Sequence, residues 1–222
     1  MIKTYNKDAL KWLRRKASKN FEVDLIVTDP PYKVTSRGGY TSAGGLLKDK
    51  DMRKGKVFKH NSVNIVDWLP LLYDVLKEEG HCYIMVNNKN LPHFIEVALR
   101  SNFHLIKILV WGKNNKIMSQ AYMSQTEFIL FLRKGSFKKI HNCGDSDLLL
   151  FDNPKNKRHP SEKPKDLLKV LVKNSSSKGD LVLDPFFGSG TTLEVCEELE
   201  RDSVGLEIDK EMYKKFTSKK PD

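Results

Sequence analysis

The chemistry in this sequence begins where an apolar run stops. Residues 23–28, Val-Asp-Leu-Ile-Val-Thr, are mostly aliphatic and β-branched, and they lead straight into Asp29-Pro30-Pro31-Tyr32. Such a run reads as a buried strand that ends abruptly at the proline pair. Proline fixes φ, removes a backbone donor and restricts the residue before it. The Asp29 carboxylate, the Pro30 carbonyl and the Tyr32 ring therefore leave the strand on a pre-set backbone that offers acceptors and a flat face but few donors. The fitting ligand has N–H groups to donate and a plane to stack, which describes an exocyclic amino group on a nucleobase. An ordinary strand-ending turn would use the same residues, so the tetrapeptide does not decide the matter alone.

A second constellation occupies residues 181–195, Leu-Val-Leu-Asp-Pro-Phe-Phe-Gly-Ser-Gly-Thr-Thr-Leu-Glu-Val. A strand ends in Asp184, and a glycine loop then opens a helix near Thr191. Gly188 and Gly190 let backbone amides approach a ligand closely, and the helix directs its positive end at the same place. A phosphate-binding P-loop would carry a lysine after the glycines, and none follows. A dinucleotide fingerprint would carry a third glycine where Leu193 stands. Glu207 ends the next strand about 20 residues beyond the turn, where an acid usually takes ribose hydroxyls. A ligand with a ribose and no pyrophosphate fits this pattern, and S-adenosylmethionine is one.

These two strand tips need a sheet to bring them together. The 222 residues suffice for one sizeable core, and one domain over 1–222 is the expectation. Apolar patterning places strands at 2–5, 23–28, 81–86, 105–111, 127–132, 181–183 and 203–206, and helices at 8–16, 63–77, 91–100, 164–174, 191–199 and 209–216. Alternation of this kind implies an α/β fold with a mainly parallel sheet covered on both faces. Residues 33–61 and 135–159 resist assignment, and loops of that length in a compact domain are functional or disordered.

The net charge of +11 points to a polyanionic partner. No apolar run reaches the length of a membrane span and no signal-peptide core opens the chain, so a cytoplasmic protein is expected. Cys82, Cys143 and Cys196 are odd in number and lack paired spacing, which argues against a disulfide framework or a structural zinc site. No metal is expected.

Taken together, Asp29-Pro30-Pro31-Tyr32, Phe186-Phe187-Gly188-Ser189-Gly190 and His159-Pro160-Ser161-Glu162-Lys163-Pro164 resemble the amino-methyltransferases of DNA. The order of the motifs resembles the permuted β group of that family, and the chain looks most like its adenine-N6 members. The resemblance implies a single-domain, Rossmann-like, S-adenosylmethionine-dependent fold with seven strands, one of them antiparallel, which residues 127–132 would supply. It implies that Asp29, Pro30, Pro31 and Tyr32 are catalytic. Asp184 and the turn from Phe186 through Gly188, Ser189, Gly190 and Thr191 to Thr192 would hold the methionine part of the cofactor, with Lys163 closing that end. Glu207 would take the ribose, and Asp8 the cofactor adenine, although Lys7 stands where the family has glycine.

The substrate implied is duplex DNA with the target base flipped out, and N6 of adenine is favoured. N4 of cytosine, an RNA base, or a non-catalytic DNA-binding subunit of a modification complex are the alternatives. Lys33, Arg37, Lys113, Lys116 and Arg133 are expected phosphate contacts, with a solvated basic face as the plainer reading. Residues 33–61 would form a mobile loop over the base, and 134–158 a short target-recognition segment. That segment is short enough that a second copy or a specificity partner could be needed.

Overall fold

The computed structural model describes residues 1–31, 63–118, 121–155 and 162–218. Eight strands form one sheet in the order β1-β8-β7-β2-β3-β5-β4-β6. They are β1 (Ile2–Tyr5), β2 (Val23–Thr28), β3 (Leu76–Val86), β4 (His104–Ile117), β5 (Ser124–Arg133), β6 (Leu148–Leu150), β7 (Leu181–Asp184) and β8 (Asp202–Leu206). The helices are α1 (Ala9–Ala17), α2 (Ile65–Val75), α3 (Leu91–Arg100), α4 (Lys165–Ser175), α5 (Thr191–Glu198) and α6 (Lys210–Thr217).

The period of two along the central strands explains why both faces are covered. In β2, Ile26 faces one side, with Trp12, Trp68, Leu69 and Leu72 of α1 and α2. Its neighbours Leu25 and Val27 face the other, with Leu167, Leu168 and Leu171 of α4 and Val195 of α5. In β3, Cys82, Ile84 and Val86 share the first face, while Tyr83 and Met85 share the second. Strands buried on both sides read as unbroken apolar runs, which is why 23–28 and 127–132 stand out in the sequence.

β5 runs antiparallel to both β3 and β4, as expected for the reversed strand, and every other described pairing is parallel. Two differences have physical causes. An eighth strand, β6, adds to the expected seven by pairing with β4 through Val110 and Leu148, Trp111 and Leu149, and Gly112 and Leu150. Three residues within a charged stretch carry too little periodicity to be seen in advance. The helix expected to reach residue 77 ends at Val75, because Leu76 pairs with Val23 and is fully buried as the first residue of β3. An apolar residue at that point satisfies either period, so spacing could not separate them.

Residues 33–61 lie outside the described residues. Part of 134–158 is described, and it is fastened to the body: the His141 amide donates to the Asn174 carbonyl at 2.9 Å and Trp111 Nε1 to the Phe151 carbonyl at 2.8 Å. No helix among the described residues is long and apolar enough to cross a membrane.

Candidate active site

β2 and β7 are neighbours, with Leu25 opposite Val182 and Ile26 opposite Leu183, so Asp29 and Asp184 emerge side by side at the carboxyl end of the sheet. Open α/β sheets bind ligands at this edge. A cleft there is lined by Asp29 and Lys163, by Asp184, and by the loop residues Phe186, Phe187, Gly188, Ser189, Thr191 and Thr192, with Met85 and Leu168 as apolar walls. Two motifs separated by about 150 residues in sequence thus share one cavity. Gly190 borders the cleft as the cap of α5.

Asp184 is buried and fixed. Thr28 Oγ1 donates to its Oδ1 at 2.9 Å, and the Phe186 amide donates to the same oxygen at 3.1 Å. Burial pushes its pKa up to about 7, against the pull of these hydrogen bonds and of Thr192, and the nearby Asp29 adds to the rise. The turn that follows uses glycine where it must: Gly188 has φ 50° and Gly190 φ 83°, and a Cβ on Gly190 would sit 2.1 Å from Phe216 Cδ2. The Ser189 and Thr191 hydroxyls are 2.9 Å apart.

Glu207 directly follows β8, with its carboxylate held from two sides. The Gly188 amide donates to Oε2 at 3.1 Å and the Asp209 amide to Oε1 at 2.7 Å. A carboxylate carries more lone pairs than these bonds use, so it keeps acceptor capacity. Asp8, expected to meet the cofactor adenine, caps α1 by accepting from the Lys11 amide at 3.0 Å and is not among the cleft-lining residues. It stays close to the β8 tip, because Asn6 Nδ2 donates to the Glu207 carbonyl at 2.8 Å.

At the tip of β2, Pro30 is buried and Asp29 partly so. Lys163, expected at the methionine end of the cofactor, places its Nζ 2.5 Å from Asp29 Oδ2. Lys163 precedes Pro164, the cap of α4, and α4 is tied to α5 by Lys165 and Lys169 on Glu198, each at 2.8 Å. Burial raises the Asp29 pKa, Lys163 opposes this, and the neighbouring Glu127 adds to it. Tyr32, Lys33 and Arg37 lie outside the described residues.

Glu127 was not singled out by the sequence. It stands near the start of the reversed strand β5, and reversal brings that start to the active-site edge. Its Oε2 is 3.6 Å from Lys163 Nζ, and its Oε1 is paired with Lys113. Burial alone would raise its pKa; Lys163 and Lys113 together hold it below the ordinary carboxylate value. A lone acid beside Phe-Ile-Leu-Phe-Leu was the available signal, since acids at buried positions need partners.

The expected phosphate contacts separate. The Lys113 side chain is only 9% exposed, pairs with Glu127 and lies 4.7 Å from the Trp111 ring, so it faces the interior rather than a phosphate backbone. The burial of a charge beside its partner corrects the expectation of a solvated lysine. Arg133 ends β5 opposite His81, midway along β3 and away from the cleft, because β5 runs backwards. Lys116 is exposed toward the end of β4, on the active-site edge.

Comparison with known proteins agrees with this architecture. A family model described as DNA methylase matches residues 23–219. Type II methyltransferase M2.DpnII of Streptococcus pneumoniae is 31% identical over 232 residues, covering 93% of this chain and 85% of that protein. DNA adenine methyltransferase YhdJ of Escherichia coli (strain K12) is 30% identical over 249 residues, covering 93% and 78%. Among solved structures, the M1.HpyAVI complex with SAM superposes with a TM-score of 0.76 at 24% identity over 99% of this chain and 100% of that one. The cytosine-N4-specific PvuII DNA methyltransferase gives 0.73 at 19% identity over 100% and 86%, and both likenesses speak to the fold.

Proposed function

The chain belongs to the DNA methylase family, and from that membership we propose that it methylates the exocyclic N6 of adenine in duplex DNA with S-adenosylmethionine as donor. The observation that supports methyl transfer is the shared cleft, where Asp29 of the Asp-Pro-Pro-Tyr tip and Asp184 of the glycine-loop strand line the same cavity; the choice of adenine rests on the likeness of Asp29-Pro30-Pro31-Tyr32 to the adenine members.

The residues present fit the donor. Asp184 and the amides of the glycine turn suit its charged amino-acid end, Glu207 suits a ribose diol, and Met85, Phe186 and Leu168 supply apolar wall. When bound, S-adenosylmethionine supplies a methyl group on a sulfonium, open to attack by a nucleophile. The adenine amino nitrogen is a poor nucleophile because its lone pair is delocalised into the ring. Acceptors at the Asp29 carboxylate and the Pro30 carbonyl hold its two hydrogens in the pyramidal geometry of the transition state, which is differential binding. Tyr32 stacks on the base, and orientation of the nitrogen toward the methyl supplies much of the rate. Taking the base out of the duplex costs a few kcal/mol. Residues 134–158 and Lys116 are the candidates for target reading and phosphate contact.

The test combines purified protein, labelled S-adenosylmethionine and mixed-sequence duplex DNA, followed by nucleoside mass spectrometry. N6-methyladenine is the expected product. N4-methylcytosine would retain the mechanism and overturn the base. Cofactor binding without transfer would overturn duplex DNA as the sufficient substrate, and redirect the assay to RNA or to a complex with a specificity partner.

A further inference from the structure

Lys163 stands between two carboxylates, with its Nζ 2.5 Å from Asp29 Oδ2 and 3.6 Å from Glu127 Oε2. The arrangement conflicts with the chemistry proposed for Asp29. A carboxylate already bound to an ammonium is a weaker acceptor for an amino group, and it stabilises less of the positive charge that grows on the attacking nitrogen. For Oδ2 to accept from the amino group at full strength, the lysine has to give way when the base arrives. Moving the ammonium off Asp29, at a site where its side chain is only 10% exposed, takes away its nearest carboxylate, which is costly. Glu127 removes that cost. Its Oε1 is engaged by Lys113 and its Oε2 faces Lys163, so a displacement of about 1 Å would bring Lys163 into hydrogen-bond range.

We propose that Glu127 is a positioning residue for methyl transfer: as the amino group reaches Asp29, Lys163 shifts from Asp29 to Glu127 and releases Oδ2 to accept from that nitrogen. Lys163 stays protonated throughout, and no covalent bond forms or breaks in the shift. In the cleft without a base, the same lysine opposes the rise that burial imposes on the Asp29 pKa. Lys113 has its own part here, since it anchors Glu127 from the side away from Lys163. The inference rests on the proposed transfer to an amino group.

Two experiments test it. The first is independent of catalysis: a crystal structure of the Asp29→Asn protein, in which the pull on Lys163 from position 29 is weakened. Lys163 Nζ is expected within about 3 Å of Glu127 Oε2. A lysine that stays at position 29, or turns away from Glu127, would overturn the proposal. The second is single-turnover methyl transfer by Glu127→Gln, which keeps the shape of the side chain and an acceptor for Lys113. Transfer is expected to slow by about tenfold or more, with cofactor affinity measured by calorimetry unchanged within about twofold. In a Lys163→Met background the same change should slow transfer no further, because Glu127 acts through Lys163. A wild-type rate in Glu127→Gln, or an equal loss in both backgrounds, would refute a role exerted through Lys163. A wild-type protein that methylates no nucleic acid would refute the proposed function instead, while the Asp29→Asn structure would still decide whether Glu127 is the second seat of the lysine.

Discussion

At Asp29, the fold and the reaction make opposing demands on one carboxylate. Burial favours its neutral form, and the adjacent ammonium of Lys163 favours the charged form that can accept from an amino group. Replacing it with alanine removes the acceptor but none of the cofactor-side groups. Asp29→Ala is therefore expected to lower methyl transfer by at least about 10²-fold, with cofactor binding by calorimetry largely retained. An active Asp29→Ala protein would end the proposed role. Asp184 gives a pH prediction. Its pKa in the folded protein is raised to about 7 from an ordinary value of 3.8, so the native state holds this proton more tightly than the unfolded chain. The resulting stability is fully present below pH 4 and is lost as pH rises through about 7, with an upper limit of about 4 kcal/mol. Urea denaturation of the cofactor-free protein should show this loss between pH 4 and 7, and Asp184→Asn should flatten it. A cationic donor favours the ionised form, so its binding should release protons near neutral pH. Calorimetry in buffers of different ionisation enthalpy would detect them.

At the scale of elements, the glycine turn and α6 depend on each other. Gly190 combines φ 83° with a Cβ position 2.1 Å from the ring of Phe216, which is buried on α6. Gly188 has φ 50°, but the nearest atom to its Cβ position is the Phe186 carbonyl oxygen at 3.9 Å. Gly190→Ala should therefore cost about 2–4 kcal/mol, strain plus overpacking, and Gly188→Ala about 1 kcal/mol, strain alone. Equal losses by denaturation would mean that Phe216 yields freely. The elements legible in the sequence are those whose signals were local. β2 declared itself by an apolar run and a proline pair, and the cofactor turn by glycines placed between Asp184 and Thr191. The reversed strand was legible as a strand from its unbroken apolar run, and as reversed only through the family resemblance. What escaped was non-local. Glu127 and Lys163 are 36 residues apart in sequence and meet only because β5 runs backwards beside β3. Lys113 looked like a surface cation because nothing in its neighbours reveals a carboxylate 14 residues away on the next strand.

For the whole molecule, the charge of +11 makes salt the first variable for nucleic-acid binding. The structure separates lysines and arginines that look equivalent in composition. Lys116 is exposed on the active-site edge, Lys113 is paired inside, and Arg133 lies at the far end of β5. Lys116→Ala should reduce the slope of log K against log salt by about 1, whereas the Lys113→Ala and Arg133→Ala slopes should match the wild type. Filter binding across a salt series would decide, and a reduced slope for Lys113→Ala would mean that its pairing with Glu127 opens on DNA.

The sheet also fixes an order of events during protein synthesis. β1 pairs only with β8 among the described strands, and the Glu207 amide donates to the Tyr5 carbonyl at 3.1 Å, so β1 waits for β8 before it can pair. Asp29 leaves the ribosome about 150 residues before Asp184, the glycine turn and Glu207. Chains emerge and fold from the N-terminus forward, so a nascent or prematurely terminated product that stops before Asp202 carries the base-holding tip without a finished donor site. In such copies the proposed base-holding tip and the proposed donor site are never joined on one sheet.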